Sequence, residues 1–272
     1  MNYKISIIGA GNVGFRLAIA LQQAGHSIVG IYSRDIEKAE QAVRAVKRHK
    51  GSPIPTNSLE KLAESQVTII TVTDSAIASV AAQLSARKGV IAHTSGAENI
   101  KTLQEAGLQN YGVFYPLMTI SKVKEVDMKL IPFLLEAQNK EVEQVLINLA
   151  CSLKAEYSIS SSEKRLKMHT AAVFTTNYIN YMLSLAYEIS SPDFVYLLPS
   201  AVESVRKAFL TSPKLALTGP ARRHNHQTMQ KHIKLLEESG MKEHAEIYKM
   251  IAGNIMERYP LEDVEDCGSS PQ

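Results

Sequence analysis

The apolar positions of this chain change their period part-way along it. Ile5 to Ile8 is a short apolar run bounded by Gly9, too short for a helix, and it predicts a strand buried on both faces. Leu17, Ala18, Leu21 and Ala24 then recur at helical spacing up to Gly25, which is placed to end a helix in the left-handed conformation. Ser27 to Tyr32 predicts a second strand, and Ile36 to His49 a second helix with Asp35 as its N-cap. Ser52 to Asn57 carries two prolines and predicts a loop or short edge strand, followed by a short helix over Ser58 to Glu64 capped by Ser58. Val67 to Val72, Gly89 to Ala92 and Asn110 to Phe114 predict three more strands. Ile77, Val80, Ala81 and Leu84 give the helix after the first of them its apolar stripe. Leu130 to Ala137, Lys140 to Leu153 and Ala155 to Ser160 continue as strand, helix, strand. Beyond Ser161 the strand pattern stops. Ser161 to Ile189, Val195 to Phe209, Gln227 to Glu238 and Glu243 to Arg258 have helical periodicity, punctuated by Pro192, Pro199, Pro213, Gly219, Pro220 and Gly240. The expected class is α/β: a doubly wound, mostly parallel sheet over residues 1–160, then an all-helical domain over 161–272.

The junction between the first strand and first helix is Gly9-Ala10-Gly11-Asn12-Val13-Gly14. In a strand–turn–helix unit of this kind one glycine makes the tight turn, one lets a pyrophosphate approach the backbone, and one lets helix and strand pack closely. The helix start then presents free N–H groups and a positive dipole end to the phosphates. Gly9, Gly11, Asn12, Val13 and Gly14 are therefore candidate cofactor residues in a Rossmann-type domain. An NAD site usually has a carboxylate at the end of the second strand, about 20 residues on, whereas an Arg there accommodates a 2'-phosphate. Arg34 holds that position, with Ser33 before it, and the pair favours NADP. In open α/β sheets ligands lie beyond the carboxyl ends of the strands. Thr73 to Ser75, His93 to Ala97 and Tyr115 to Thr119 are all placed there and are expected to line the same crevice.

Composition narrows the function classes without choosing among them. The net charge is +3 and both signs are mixed along the chain, which is no nucleic-acid footprint. No apolar run approaches the roughly 20 residues of a membrane span and no secretory pattern opens the chain, so a cytoplasmic protein is expected. Cys151 and Cys267 form neither a disulfide framework nor a metal-ligand spacing. His224, His226 and His232 have no HExxH spacing, so no metal is assigned. The polar end, Glu265 to Gln272, is expected to be disordered.

The order GAGNVG, TDSAI, HTSGA, YPLMT, HTAAVFTTNY and LTGPARRHN resembles a reductase-like family that couples a Rossmann domain to a helical domain of unknown function. More distantly it is similar to pyrroline-5-carboxylate reductases, deazaflavin-dependent NADP reductases and 6-phosphogluconate dehydrogenases. The resemblance implies a nicotinamide cofactor, a substrate pocket between the domains and a homodimer formed through the helices. The family loop after TGP usually ends in Arg-Gly-Asp; here Arg223 is kept while His224 and Asn225 replace the last two.

Several residues are candidates for the chemistry, each with a plainer alternative. Thr73 and Asp74 could touch the cofactor, although Asp74 could equally cap a helix. His93 and Ser95 close a strand where a substrate would lie, yet both could serve their own loop. Arg223 offers a planar fork to an anionic substrate group, although surface charge is the ordinary role of such a residue. His169 stands one to two turns into the first helix of the second domain and is a candidate proton donor. At 100 degrees per residue Asn177 falls about 80 degrees from it and could orient the substrate. The expected function is an NADP-dependent oxidoreductase acting on a small imine, ketone or semialdehyde. The alternative is an NADP-binding redox or metabolite sensor without turnover.

Overall fold

The computed structural model describes residues 1–47, 52–121 and 126–261. The end of the helix expected to reach His49, Cys267 and the polar end from Glu265 lie outside them. The chain divides into two compact units, residues 1–179 and 180–272.

The first unit is built on an eight-stranded sheet in the order β3-β2-β1-β4-β5-β6-β7-β8. Its strands are β1 (Lys4–Ile8), β2 (Ser27–Tyr32), β3 (Ile54–Thr56), β4 (Val67–Ile70), β5 (Val90–His93), β6 (Tyr111–Pro116), β7 (Phe133–Ala137) and β8 (Tyr157–Ile159). β1 to β6 are mutually parallel, and they follow the strand order of a dinucleotide-binding sheet, with its switch point beside β1. No α-helix separates β6 from β7 among the described residues, and the two pair antiparallel. β8 returns parallel to β7 after a crossover helix.

Helices cover both faces. α1 (Asn12–Gln23), α2 (Ile36–Lys47) and α5 (Lys140–Ser152) bury Leu17, Leu21, Val43, Val46, Leu146 and Leu149 against Ile5, Ile7, Ile31, Ile69, Phe114 and Phe133. α3 (Asp74–Ala82) and α4 (Lys101–Glu105) bury Ile77, Ala81 and Leu103 against Ile8, Ile70 and Ile91 on the other face. The strands carry apolar side chains on both faces because both are covered, which is why they read as runs and not as alternations.

The helix expected over Ser58 to Glu64 is replaced by irregular turns. A helix there would need the Leu59 carbonyl for its own ladder, with those of Leu62 and Ala63 in its last turn. Instead Arg87 donates to all three, at 3.3 Å to Leu59 and 3.1 Å to Ala63. The strand expected from Leu130 begins at Phe133, after a single 3-10 turn over Met128–Leu130.

α6 (Ser162–Val173) begins at Ser161, whose side chain accepts from the Lys164 N–H. A π turn over Phe174–Tyr178 follows it, and then α7 (Ile179–Ser190). The second unit continues with α8 (Leu198–Leu210), α9 (Pro213–Ala216), α10 (His226–Glu238) and α11 (Lys242–Arg258). Ala221, Met229 and Ala252 form its small buried cluster. Tyr196, Phe209 and Leu210 are each at least 70% exposed.

Candidate active site

The glycine turn is shaped by what lies under it. Gly9 has φ +109, and a Cβ there would come within 2.8 Å of the Thr71 backbone. A Cβ on Gly14 would lie 2.0 Å from the Gly9 carbonyl oxygen, so α1 could not pack so closely against β1 with any other residue. Gly11 differs: a methyl group there would meet no protein atom within 4 Å. It caps α1 without a side-chain hydrogen bond, so the first N–H groups, including those of Asn12 and Val13, are left for a ligand.

A cavity of about 440 Å3 opens beside this turn, lined by Gly9, Ala10, Gly11, Tyr32, Ser33, Arg34, Thr71, Val72 and Thr73 among others. Ser33 is buried and Arg34 exposed, side by side at the end of β2. Asp35 faces the same cavity, but its carboxylate accepts from the Glu37 N–H at 3.1 Å and pairs with Lys38 at 3.2 Å. Lys38 pulls the Asp35 carboxyl below its ordinary pKa. Lys38 also lines the cavity and was missed by counting along β2, because it belongs to the first turn of α2.

Further along the same sheet edge stand the ends of β4, β5 and β6. Thr73 is the N-cap residue of α3 and Asp74 its first helical residue; neither side chain caps the helix. Both are exposed at the carboxyl ends of the strands. His93 is fully buried. Its Nδ1 accepts from the Ser95 N–H at 3.1 Å, and its Nε2 has no hydrogen-bond partner among the described residues. Burial and the charge of Arg165 hold its pKa down at about 3, so the ring is neutral; the Asn99 backbone acts weakly the other way. Ser95 Oγ accepts from the N–H groups of Ala97 and Glu98 at 3.1 and 2.9 Å. In this structure His93 and Ser95 hold their own loop.

That loop supports a pair of side chains only one of which the sequence reading singled out. Tyr115 Oη and His169 Nδ1 are 2.9 Å apart, with the rings in an edge-to-face contact. A Cβ on Gly96 would lie 2.7 Å from His169 and 2.8 Å from Tyr115, so the glycine of HTSGA is the floor on which both rings rest. Burial raises the Tyr115 phenol above its ordinary pKa; Arg165 works against that and Asp74 adds to it.

Arg165, one turn before His169 on α6, is fully buried. It forms an ion pair with Glu136 and donates to the Glu98 carbonyl at 2.5 Å and to Ser162 Oγ at 3.1 Å. Ser162 in turn donates to Glu136 at 2.7 Å and accepts from the Ile100 N–H. This network ties the start of α6 to β7 and to the loop after β5. No sequence signal distinguished Arg165 from the charged residues around it.

Asn177 lies in the π turn, exposed, and accepts from Thr176 Oγ1 at 2.8 Å. A π turn takes up an extra residue, so the 80-degree separation expected from a uniform α-helix does not hold. In the second unit Arg223 is exposed and free of ion pairs among the described residues. The two departures from the family loop have local roles. His224, at φ +51, places Nε2 2.9 Å from the Tyr259 carbonyl, and Asn225 caps α10 through the Thr228 N–H.

Residues 1–117 match the model of the Rossmann-like domain, and residues 131–255 match that of the domain of unknown function DUF2520. A Bacteroides fragilis protein, whose name assigns it provisionally to the NADP oxidoreductases, is 33% identical, with a TM-score of 0.85 over 94% of this chain and 98% of its own. The chain belongs to this Rossmann–DUF2520 family. Two more distant likenesses show the fold alone. A pyrroline-5-carboxylate reductase from Coxiella burnetii is 14% identical, with a TM-score of 0.56 over 95% of this chain and 98% of its own. An imine reductase variant from Myxococcus stipitatus, solved with NAD+, is 13% identical, with a TM-score of 0.59 over 94% and 93%. No curated protein matches the chain significantly. Among the described residues of this family member no helix is long and apolar enough to cross a membrane.

Proposed function

We propose that the protein is an NADP-dependent oxidoreductase acting on a small imine, ketone or semialdehyde whose anionic group, where it has one, pairs with Arg223. The cavity beside the glycine turn carries this reading. It combines an open approach over Gly11, free N–H groups at the start of α1, and Ser33 and Arg34 at the β2 end, where a carboxylate would repel a 2'-phosphate. The name of the Bacteroides fragilis relative supports the same cofactor. When bound, the nicotinamide would supply the hydride.

The chain's own residues would do the rest. Thr73 and Asp74 stand at the carboxyl end of β4, on the way from the glycine turn to Tyr115 and His169. His169 would donate the proton that balances hydride transfer, and Asn177 would orient the substrate. His93 and Ser95 would shape the substrate site by holding the loop under His169. Arg223 would bind an anionic group of the substrate. In this reading residues 1–160 bind the nucleotide, and residues 161–272 complete the substrate site and form a homodimer. The exposed apolar side chains Tyr196, Phe209 and Leu210 support that association.

The test is to titrate the protein with NADPH and NADH and to follow NADPH oxidation with imines, ketones and semialdehydes. Tighter NADPH binding with turnover of one substrate class is the expected result. Tight binding with no oxidation across the panel would favour a sensor, and failure to bind either nucleotide would overturn both readings.

A further inference from the structure

A neutral His169 can hold a substrate's acceptor atom only if its proton sits on the nitrogen that faces it; as that proton passes from Nε2 to the substrate, Nδ1 takes the phenol proton of Tyr115, 2.9 Å away, which solvent then restores. A neutral imidazole carries one N–H and one lone pair, and its hydrogen-bond partners decide which nitrogen has which. Resting on the oxidoreductase reading above, we propose that Tyr115 is a positioning residue that fixes His169 in the tautomer with its proton on Nε2. Tyr115 is buried, and His169 Nδ1 is the one hydrogen-bond partner of its phenol among the described residues. If Nδ1 carried the proton, it would donate to the phenol oxygen, and the phenol's own O–H would have no acceptor among those residues. If Nδ1 offers its lone pair, the phenol O–H donates to it and both groups are satisfied. The proton then belongs to Nε2, which has no partner among the described residues and is not sealed from solvent.

Two further features hold the ring where this bond can form. Gly96 leaves no room beneath it for a side chain, since a Cβ there would meet both His169 and Tyr115. Arg165 fixes the preceding turn of α6 through Glu136 and the Glu98 carbonyl. The ring is thus fixed from below, from one side and through its own helix, with Nε2 left open.

The tautomer can be read without a substrate. Long-range proton–nitrogen NMR correlations of the 15N-labelled full chain at alkaline pH distinguish a protonated nitrogen from a lone-pair nitrogen. The His169 signals are identified by their loss in His169→Gln. The expected result is an Nε2–H ring in the unmodified protein and a mixture of tautomers in Tyr115→Phe, which keeps the aromatic contact and removes the hydroxyl. Gly96→Ala, which displaces the ring from the other side, should also give a mixture. An Nδ1–H ring in the unmodified protein, or an unchanged Nε2–H ring in Tyr115→Phe, would overturn the assignment. Where turnover is found, Tyr115→Phe should lower kcat roughly tenfold or more with the KM for NADPH unchanged. Absence of turnover would count against the oxidoreductase reading alone, because the tautomer is measured independently of it.

Discussion

Thr71 donates through Oγ1 to the carbonyl oxygen of Gly9 at 2.7 Å, so the end of β4 holds the turn after β1 in place. The same Thr71 oxygen would lie 2.3 Å from a methyl group on Gly14. Gly14→Ala should therefore cost about 1–3 kcal/mol of stability, because the Gly9 carbonyl is backbone and the Thr71 hydroxyl is tied to it. Gly11→Ala meets no protein atom within 4 Å and should change stability by less than about 0.5 kcal/mol. If a pyrophosphate packs over Gly11, that same variant should lose NADPH affinity roughly tenfold or more. Urea denaturation and calorimetric titration of both variants check the contrast; a Gly11→Ala protein that binds NADPH normally would place the phosphates elsewhere.

Arg34 is the second point of contact to test. Its guanidinium is exposed at the cavity, whereas the neighbouring Lys38 is already engaged with Asp35. Arg34→Ala should weaken NADPH binding by about 1.5–3 kcal/mol, the size of a charge-assisted hydrogen bond, and leave NADH nearly unaffected. Equal losses for the two nucleotides would show that Arg34 does not hold a 2'-phosphate.

The cavity beside the glycine turn was legible because its signals are local. A strand, three glycines and a helix lie within one stretch of chain, and the residue at the end of β2 follows by counting. The surroundings of His169 depend on contacts between segments distant in sequence. Tyr115 meets His169 54 residues later, and Arg165 reaches back 29 residues to Glu136. Neither partner has a periodicity of its own that points to the other. The missing helix after β3 also involves a distant residue: Ser58 is a cap by residue type, but the Leu59 carbonyl of the first turn accepts from Arg87, from beyond α3. The π turn at Phe174–Tyr178 breaks the uniform 100-degree step on which the face of His169 was reckoned.

The Arg165–Glu136 pair gives a stability prediction. Arg165 is fully buried, and its partner is also largely shielded. Arg165→Met would leave the Glu136 carboxylate with Ser162 but without its cation, which should cost roughly 3–5 kcal/mol. Urea denaturation measures the loss. Less than about 1 kcal/mol would mean that the network contributes orientation to α6 and little net stability.

His93 makes stability depend on pH in a defined direction. Its pKa falls from 6.5 to about 3 on folding, chiefly because the ring is removed from water. Between those values the unfolded chain binds a proton that the folded chain refuses, so acidification through this window destabilises the fold. The slope from this one group is at most about 1.4 kcal/mol per pH unit. His93→Asn keeps an acceptor for the Ser95 N–H but cannot take up the proton. Its stability should fall less steeply on acidification, by the equivalent of roughly one proton. His26, whose pKa burial also lowers, is present in both proteins and cancels in the comparison. Parallel stability–pH curves for the two proteins would show that His93 is protonated in the fold.

The catalytic assignment is tested at His169 and Asn177 together. His169 bonds Tyr115 through Nδ1, which leaves Nε2, and Asn177 follows on the π turn that continues the same helix. A donor and an orienting amide suit a small substrate that must be held while it accepts a proton. His169→Ala should therefore cut turnover by roughly 100-fold or more while NADPH affinity stays the same, because the ring acts on the substrate and not on the cofactor. Asn177→Ala should raise KM for the substrate more than it lowers kcat, since an orienting hydrogen bond is made before the transition state as well as in it. A structure with NADP bound should place the His169 ring within about 10 Å of the nicotinamide, leaving room for the substrate between them. Full turnover in His169→Ala would make the histidine a packing residue and return the search for the proton donor to Tyr115.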